Sequence, residues 1–233
     1  MLFEEIINDS YIVKQVEHFK ILSSIEYIVE NTLEENETLE ICINNLFNHG
    51  TIQVYIPKQS GLCNYVEKFF GRHIEFICID SIKCTNNNLS SSLETLCKNF
   101  YVATQRHLYK YLFEDVEYME IVLKSGKAVI VQGFEKSVAI PQIRDVIFIA
   151  HTHPIGYPPI PSKKDLYSMR DLIAERGIGG CIYSTKGSFC MYRTGIPTWK
   201  DYELLTIAIN RYEKIEDICT ISSNIKCFVN YFG

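Results

Sequence analysis

The chain has 233 residues, 47% of them hydrophobic, and carries 28 acidic against 23 basic side chains for a net charge of −5. That is enough apolar material for one large domain or two small ones. The acidic balance argues against a generic nucleic-acid binder, whose affinity rests on neutralising phosphates with Lys and Arg.

No apolar run approaches the roughly 18 residues needed to span a bilayer. The opening MLFEEIINDSYIV has no basic region followed by an apolar one, so a signal peptide is not expected. The nine cysteines are odd in number, scattered, and contain no CxxC pair. They read as small buried hydrophobes and free thiols of a reducing, cytoplasmic protein.

In chain order, residues 11 to about 50 read as helical, with Val13, Val16, Phe19, Leu22 and Ile25 on one face and Lys14, Glu17 and Lys20 on the other. A second helical pattern covers Leu39 to Phe47 and ends at Asn48-His49-Gly50. The acidic Glu34-Glu35-Asn36-Glu37 between them reads as a solvated helix face or turn. TIQVYIP (51–57) predicts a strand, GLCNYVEKFF (61–70) a short helix and HIEFICID (73–80) another strand, which together make a small α/β unit. The polar stretch 84–92 is the linker candidate, so the expected domains are 1–90 and 91–233.

A helix is expected from Leu93 to Phe113, then a hairpin over 116–134 turning at Lys124-Ser125-Gly126-Lys127. DVIFIAHTH (145–153) is an apolar strand that ends in two histidines. Residues 162–176 predict an amphipathic helix stopped by Gly177. Two strands follow around Thr185-Lys186-Gly187, placing Cys181 and Cys190 opposite each other as expected free thiols. A last helix spans 198–214, with Thr198 as N-cap and Trp199 explained by core packing or the helix start. His107 reads as a surface or packing histidine, and His18, His49 and His73 have no partner at ligand spacing.

HTHPIGYPPIPSKKD (151–165) carries the chemistry. In an extended segment side chains at i and i+2 point the same way, so His151 and His153 can grip one metal ion. Ser162 stands where a helix begins, and Asp165 lies in its first turn. The proline-rich link is stiff and can fold back to bring the helix start to the strand end. Two imidazoles and a carboxylate make a three-ligand zinc set with a fourth position open for water, the mark of a catalytic site. A separate carboxylate is then needed as base. The plain alternative is that Ser-x-x-Asp is only a capping pattern and the HxH pair holds nothing.

These residues resemble the signature of the JAMM (JAB/MPN-type) metalloprotease family: His-Ser/Thr-His-Pro, a spacer, then Ser-x-x-Asp, with a glutamate on an earlier strand. Here it reads His151-Thr152-His153-Pro154 and Ser162-Lys163-Lys164-Asp165, with eight spacer residues where the family usually has seven. The resemblance covers about 95–200 and does not extend to the first 90 residues. It implies an α/β (α+β) fold: a JAMM/MPN-like, cytidine-deaminase-like curved mixed β-sheet flanked by helices, preceded here by a small α/β N-terminal domain. It implies one Zn2+ held by His151, His153 and Asp165, with Ser162 stabilising the oxyanion.

The base is Glu117 or Glu120, three apart and therefore on opposite faces of one strand. Glu117 precedes the Ser125-Gly126 turn by about the family's distance and is the choice; Glu120 stands where many members have glycine, and Glu114 is less suited. A solvated charge on an edge strand is the bland reading of either. The resemblance further implies an isopeptidase acting after the C-terminal tail of a ubiquitin-like or sulfur-carrier-like protein, the tail lying beside an exposed strand. The alternatives are a RadC-like DNA-associated factor, against which the acidity speaks, and a non-catalytic MPN-type scaffold. The N-terminal residues offer a surface for substrate, partner or homo-oligomer, and their sequence does not choose among these.

Overall fold

The computed structural model describes residues 4–31, 41–48, 50–58, 62–80, 88–133 and 144–232. The chain forms two compact units: Met1–Val16 together with Cys97–Gly233, and Glu17–Leu96. The sequence places a single boundary near residue 90; in the structure the first 16 residues group with the second half, and the divisions fall inside two helices, α1 (Ser10–Glu30) and α2 (Leu89–Leu108). Both units are mixed α/β. No described helix is long and apolar enough to cross a membrane.

The larger unit is built on a seven-stranded sheet. Its strands are β1 (Glu4–Ile7), β6 (Tyr118–Leu123), β7 (Ala128–Gln132), β8 (Val146–Thr152), β9 (Gly179–Ser184), β10 (Gly187–Arg193) and β11 (Ile225–Tyr231), in the order β1-β7-β6-β8-β9-β10-β11. Every neighbouring pair is antiparallel except β8 and β9. A parallel pair needs a crossover, and α3 (Lys163–Ala174) supplies it. One face of the sheet receives α2, through Phe100 stacked on Phe148 and Tyr101 against Tyr183 and Phe228. The other face receives α3, α4 (Trp199–Asn210) and α5 (Ile215–Cys219) over a core of Ile149, Leu166, Met169, Ile182, Phe189, Met191 and Leu205. Gly180 lets α3 approach closely: a Cβ there would lie 2.7 Å from Ile149 Cγ1 and 3.2 Å from Met169 Cγ. α3 ends in a Schellman motif, Arg176 N–H to Ile173 O and Gly177 N–H to Leu172 O. The left-handed residue is Arg176, with φ 67°, rather than Gly177.

The smaller unit holds the sheet β2-β3-β5-β4, from β2 (Cys42–Asn44), β3 (Ile52–Pro57), β4 (Val66–Phe69) and β5 (Arg72–Ile79). Two expected helices are strands here. The 61–70 pattern contains β4, because Phe70 and Gly71 both take positive φ (49° and 79°) and close a two-residue hairpin with Phe69 opposite Arg72. Within 39–47, β2 pairs with β3, Ile41 and Ile43 are buried, and Asn45 at φ 62° ends the run. α1 buries Ile12, Val16, Phe19, Leu22 and Ile25, but Val13 is 42% exposed. His18 of α1 is buried edge-on to Phe47. Glu34 to Glu37, His49 and Cys84 lie outside the described residues.

Two expectations about side chains are corrected. Cys181 and Cys190 are direct cross-strand neighbours with Cα atoms 4.1 Å apart, and they are disulfide-bonded. Cys63 and Cys78 are likewise bonded, and Cys42 also lies in a disulfide. Composition counts thiols but does not show which of them the strands bring together. Of the two readings of Trp199, the helix start holds and core packing does not: it is the first residue of α4, is 71% exposed and stacks on Tyr202.

Candidate metal centre

The apolar run Val146–Ala150 makes β8 a central strand, and its C-terminal end delivers His151 and His153 to the start of α3. Thr152 between them faces the other side. It is fully buried, and its Oγ1 accepts the Tyr118 N–H at 3.0 Å, which ties β8 to β6. The backbone of His153 donates to Tyr183 O of β9 at 2.8 Å. Both histidines are thus anchored by their own strand.

The link from Pro154 to Pro161 does fold back. Tyr157 N–H bonds Pro154 O, Ile155 N–H bonds Glu114 O, and Lys186 Nζ donates to Gly156 O at 2.6 Å. Gly156 takes φ 85°, a turn conformation that side chains resist. The returning carbonyl of Pro158 lies 2.8 Å from His153 Nδ1. A carbonyl only accepts, so Nδ1 carries the proton and Nε2 is left as a lone-pair donor.

At the helix start Ser162 is the N-cap, and Asp165 closes a capping box. Asp165 N–H donates to Ser162 Oγ at 3.2 Å, and Ser162 N–H donates to Asp165 Oδ2 at 2.7 Å. The box therefore uses one carboxylate oxygen. The other, Oδ1, lies 3.5 Å from His151 Nε2. Two donors each about 2 Å from one tetrahedral ion lie about 3.3 Å apart. One donor atom each from His151, His153 and Asp165 falls within 4.8 Å of the others.

The electrostatics fit a cation. His151 is 3% exposed, and neither of its ring nitrogens has a hydrogen-bond partner among the described residues. Burial holds its pKa down to about 4, against the opposing pull of Asp165, so the imidazole is neutral and its lone pair available at neutral pH. Leaving such a group without a partner costs about 1–3 kcal/mol. A divalent ion among the three donors would satisfy His151.

The register of β6 on β8 separates the two glutamates. Met119 pairs with His151 and Glu120 with Ala150. Side chains alternate, so Glu117 shares the His151 face, and the same register extended by two residues sets it opposite His153. Glu117 is half-buried at the mouth of β6, its carbonyl accepting Gly133 N–H at 2.8 Å. β6 lies between β7 and β8, so neither glutamate is on an edge strand.

Glu120 points to the α2 side and is fully buried. Its Oε1 lies 2.9 Å from His107 Nδ1, while His107 Nε2 lies 2.9 Å from Asp9 Oδ2, which also pairs with Arg106. The bond to Glu120 raises the His107 pKa, and burial raises that of Glu120. Both directions say that the pair retains its proton tightly. Of the two readings of His107, packing holds and surface does not: it is a partly buried partner of two carboxylates. An acid in the middle of the apolar run YMEIVL was the only sequence signal for it; Asp9 and His107 are 98 positions apart.

No protein-family model, no curated protein and no solved structure matches this chain.

Proposed function

We propose that this protein is a zinc-dependent peptidase of the JAMM/MPN-like type, cleaving after the extended tail of a ubiquitin-like protein. The observation that carries the reading is the convergence of His151, His153 and Asp165 around a buried imidazole with no hydrogen-bond partner among the described residues. The crossover β8-α3-β9 supports it, since ligands in such units gather at the C-terminal ends of the parallel strands. Ile155, Tyr157 and Ile160 stand exposed on the adjoining loop and offer apolar surface to a polypeptide.

His151, His153 and Asp165 would hold the ion, with Pro158 and the capping box fixing two of the three donors. When bound, zinc supplies Lewis acidity, lowering the pKa of water to about 7 and polarising a carbonyl. Glu117, on the same face, takes the proton of the attacking water and returns it to the leaving amine. The Ser162 hydroxyl accepts from Asp165 N–H and keeps its own hydrogen free to donate to the oxyanion. Its face and its pairing with His107 speak against Glu120 as the base. The non-catalytic reading draws on the capping box, which accounts for Ser162 and Asp165 but leaves His151 without a partner.

Metal content by mass spectrometry tests this, on the wild type and on His153→Ala. About one zinc per chain, lost in the variant, is expected for a three-ligand site. A folded wild type that takes up no zinc when zinc is supplied removes the proposal. Glu117→Gln should retain zinc and abolish cleavage of ubiquitin-like fusions; full activity would remove Glu117 from the mechanism.

A further inference from the structure

We propose that the smaller unit carries a binding site for a neutral saccharide, in a cavity between the turn that follows β2 and the first turns of α2. The cavity has a volume of about 460 Å³, within the range of small-molecule sites. Its lining residues lie between 43 and 95, so the site belongs to one unit and does not rest on the metal centre.

The lining is polar, yet among the described residues it contains no Asp, Glu, Lys, Arg or His. A charged ligand enclosed there would lose water without gaining a counter-charge, which is costly. Amides and hydroxyls supply the hydrogen bonds instead. Asn44 and Gln53 are opposite each other in the β2–β3 register and so share a face. Tyr55 OH donates to Gln53 Oε1 at 2.9 Å, which leaves Gln53 Nε2 to donate. The Thr95 hydroxyl donates to Ser91 O at 2.8 Å, which leaves Oγ1 to accept. Ser92 is 5% exposed, and its hydroxyl has no hydrogen-bond partner among the described residues.

Donors and acceptors thus stand side by side without charge. An alcohol hydroxyl donates and accepts at once, so it matches such a set where an ion does not. A saccharide presents several hydroxyls together with an apolar C–H face, and Phe47 gives the cavity an apolar wall for that face.

Both walls are held without a ligand. The Arg72 guanidinium donates to the carbonyls of Asn45, Leu46 and Gly50, which pins the turn after β2. Across the cavity Asn88 Oδ1 accepts the Ser91 N–H at 2.8 Å and Asn88 O accepts the Ser92 N–H at 3.1 Å, which fixes the start of α2. Walls ordered beforehand lower the entropic cost of binding.

The test is amide NMR on the isotope-labelled whole protein, titrated with glucose, galactose, mannose and N-acetylglucosamine, each to about 50 mM, enough to fill a millimolar site. Inorganic phosphate and tetramethylammonium are the charged probes. Expected is a saturable shift of the amides of 44–48, 53 and 91–95 with at least one sugar, and none with either ion. Gln53→Leu and Ser92→Ala should each weaken that sugar by about tenfold, the loss of one hydrogen bond. His151→Ala should bind it as the wild type does, which separates this site from the metal reading. The proposal is overturned if no sugar shifts these amides, if either ion shifts them, or if both variants keep wild-type affinity. The wild-type titration decides the first two outcomes whatever the folding of the variants.

Discussion

His151 and His107 sit on opposite faces of the same sheet, His151 buried and His107 partly buried. His151 has two ring nitrogens without a hydrogen-bond partner among the described residues and a pKa held down to about 4. His107 has a carboxylate oxygen 2.9 Å from each nitrogen and a raised pKa. An imidazole between two carboxylates is complete, and serves to hold Asp9, α2 and β6 together. One with no hydrogen-bond partner among the described residues, beside a second imidazole and a carboxylate, has the donors that a cation would use. The inventory of acceptors distinguishes them.

The largest effect expected from breaking this comparison is on metal affinity. Loss of an outer-shell partner typically costs 10–100-fold in metal affinity, so His151→Ala or Asp165→Asn, which remove a direct ligand, should weaken zinc by more than about a hundredfold in competition with a chelator. His107→Gln should leave zinc binding unchanged; a comparable loss there would mean that the two faces are not independent.

Stability comes next. His107→Ala strands a buried carboxylate and should cost about 3–5 kcal/mol in denaturant unfolding. His151→Leu in metal-free protein should do the reverse, gaining about 1–3 kcal/mol by removing unpartnered polar atoms. With zinc at about a thousand times its Kd the order inverts, because the wild type alone gains about 4 kcal/mol by linkage.

The pH dependence of metal-free stability sharpens the contrast. The folded pKa of His107 lies above its unfolded value near 6.5, so its contribution is complete below that pH and is lost as pH rises through the raised value. The folded pKa of His151 is depressed to about 4, so its contribution is present above about 6.5 and is lost as pH falls towards 4. Melting temperature against pH should fall on both sides, with His107→Gln flattening the alkaline limb and His151→Leu the acid one. Parallel changes in both limbs from either variant would contradict the assignment. The smallest effect is that of Ser162→Ala, about 1 kcal/mol from the lost helix cap.

Much of this was legible in the order of residues. The period-2 runs at 51–57 and 73–80 are β3 and β5, and the apolar run into HTH is β8. Thr198 and Ser162 do cap their helices, each with an aspartate three residues on. Less was legible where local pattern competes with pairing. β4 reads as a helix until the left-handed Phe70-Gly71 turn folds it onto β5, and the edge strands β1 and β11 give little pattern.

The sequence by itself offered the candidate donor set, because imidazoles two apart on a strand must share a face and Ser-x-x-Asp marks a helix start. Only the tertiary structure decided the rest. Register put Glu117 on the His151 face and Glu120 against His107. The returning loop put the Pro158 carbonyl, which any residue could have supplied, on His153 Nδ1. Strand pairing joined Cys181 to Cys190. Faces and spacings are local properties of a chain, whereas partners are set by contacts between segments far apart in it.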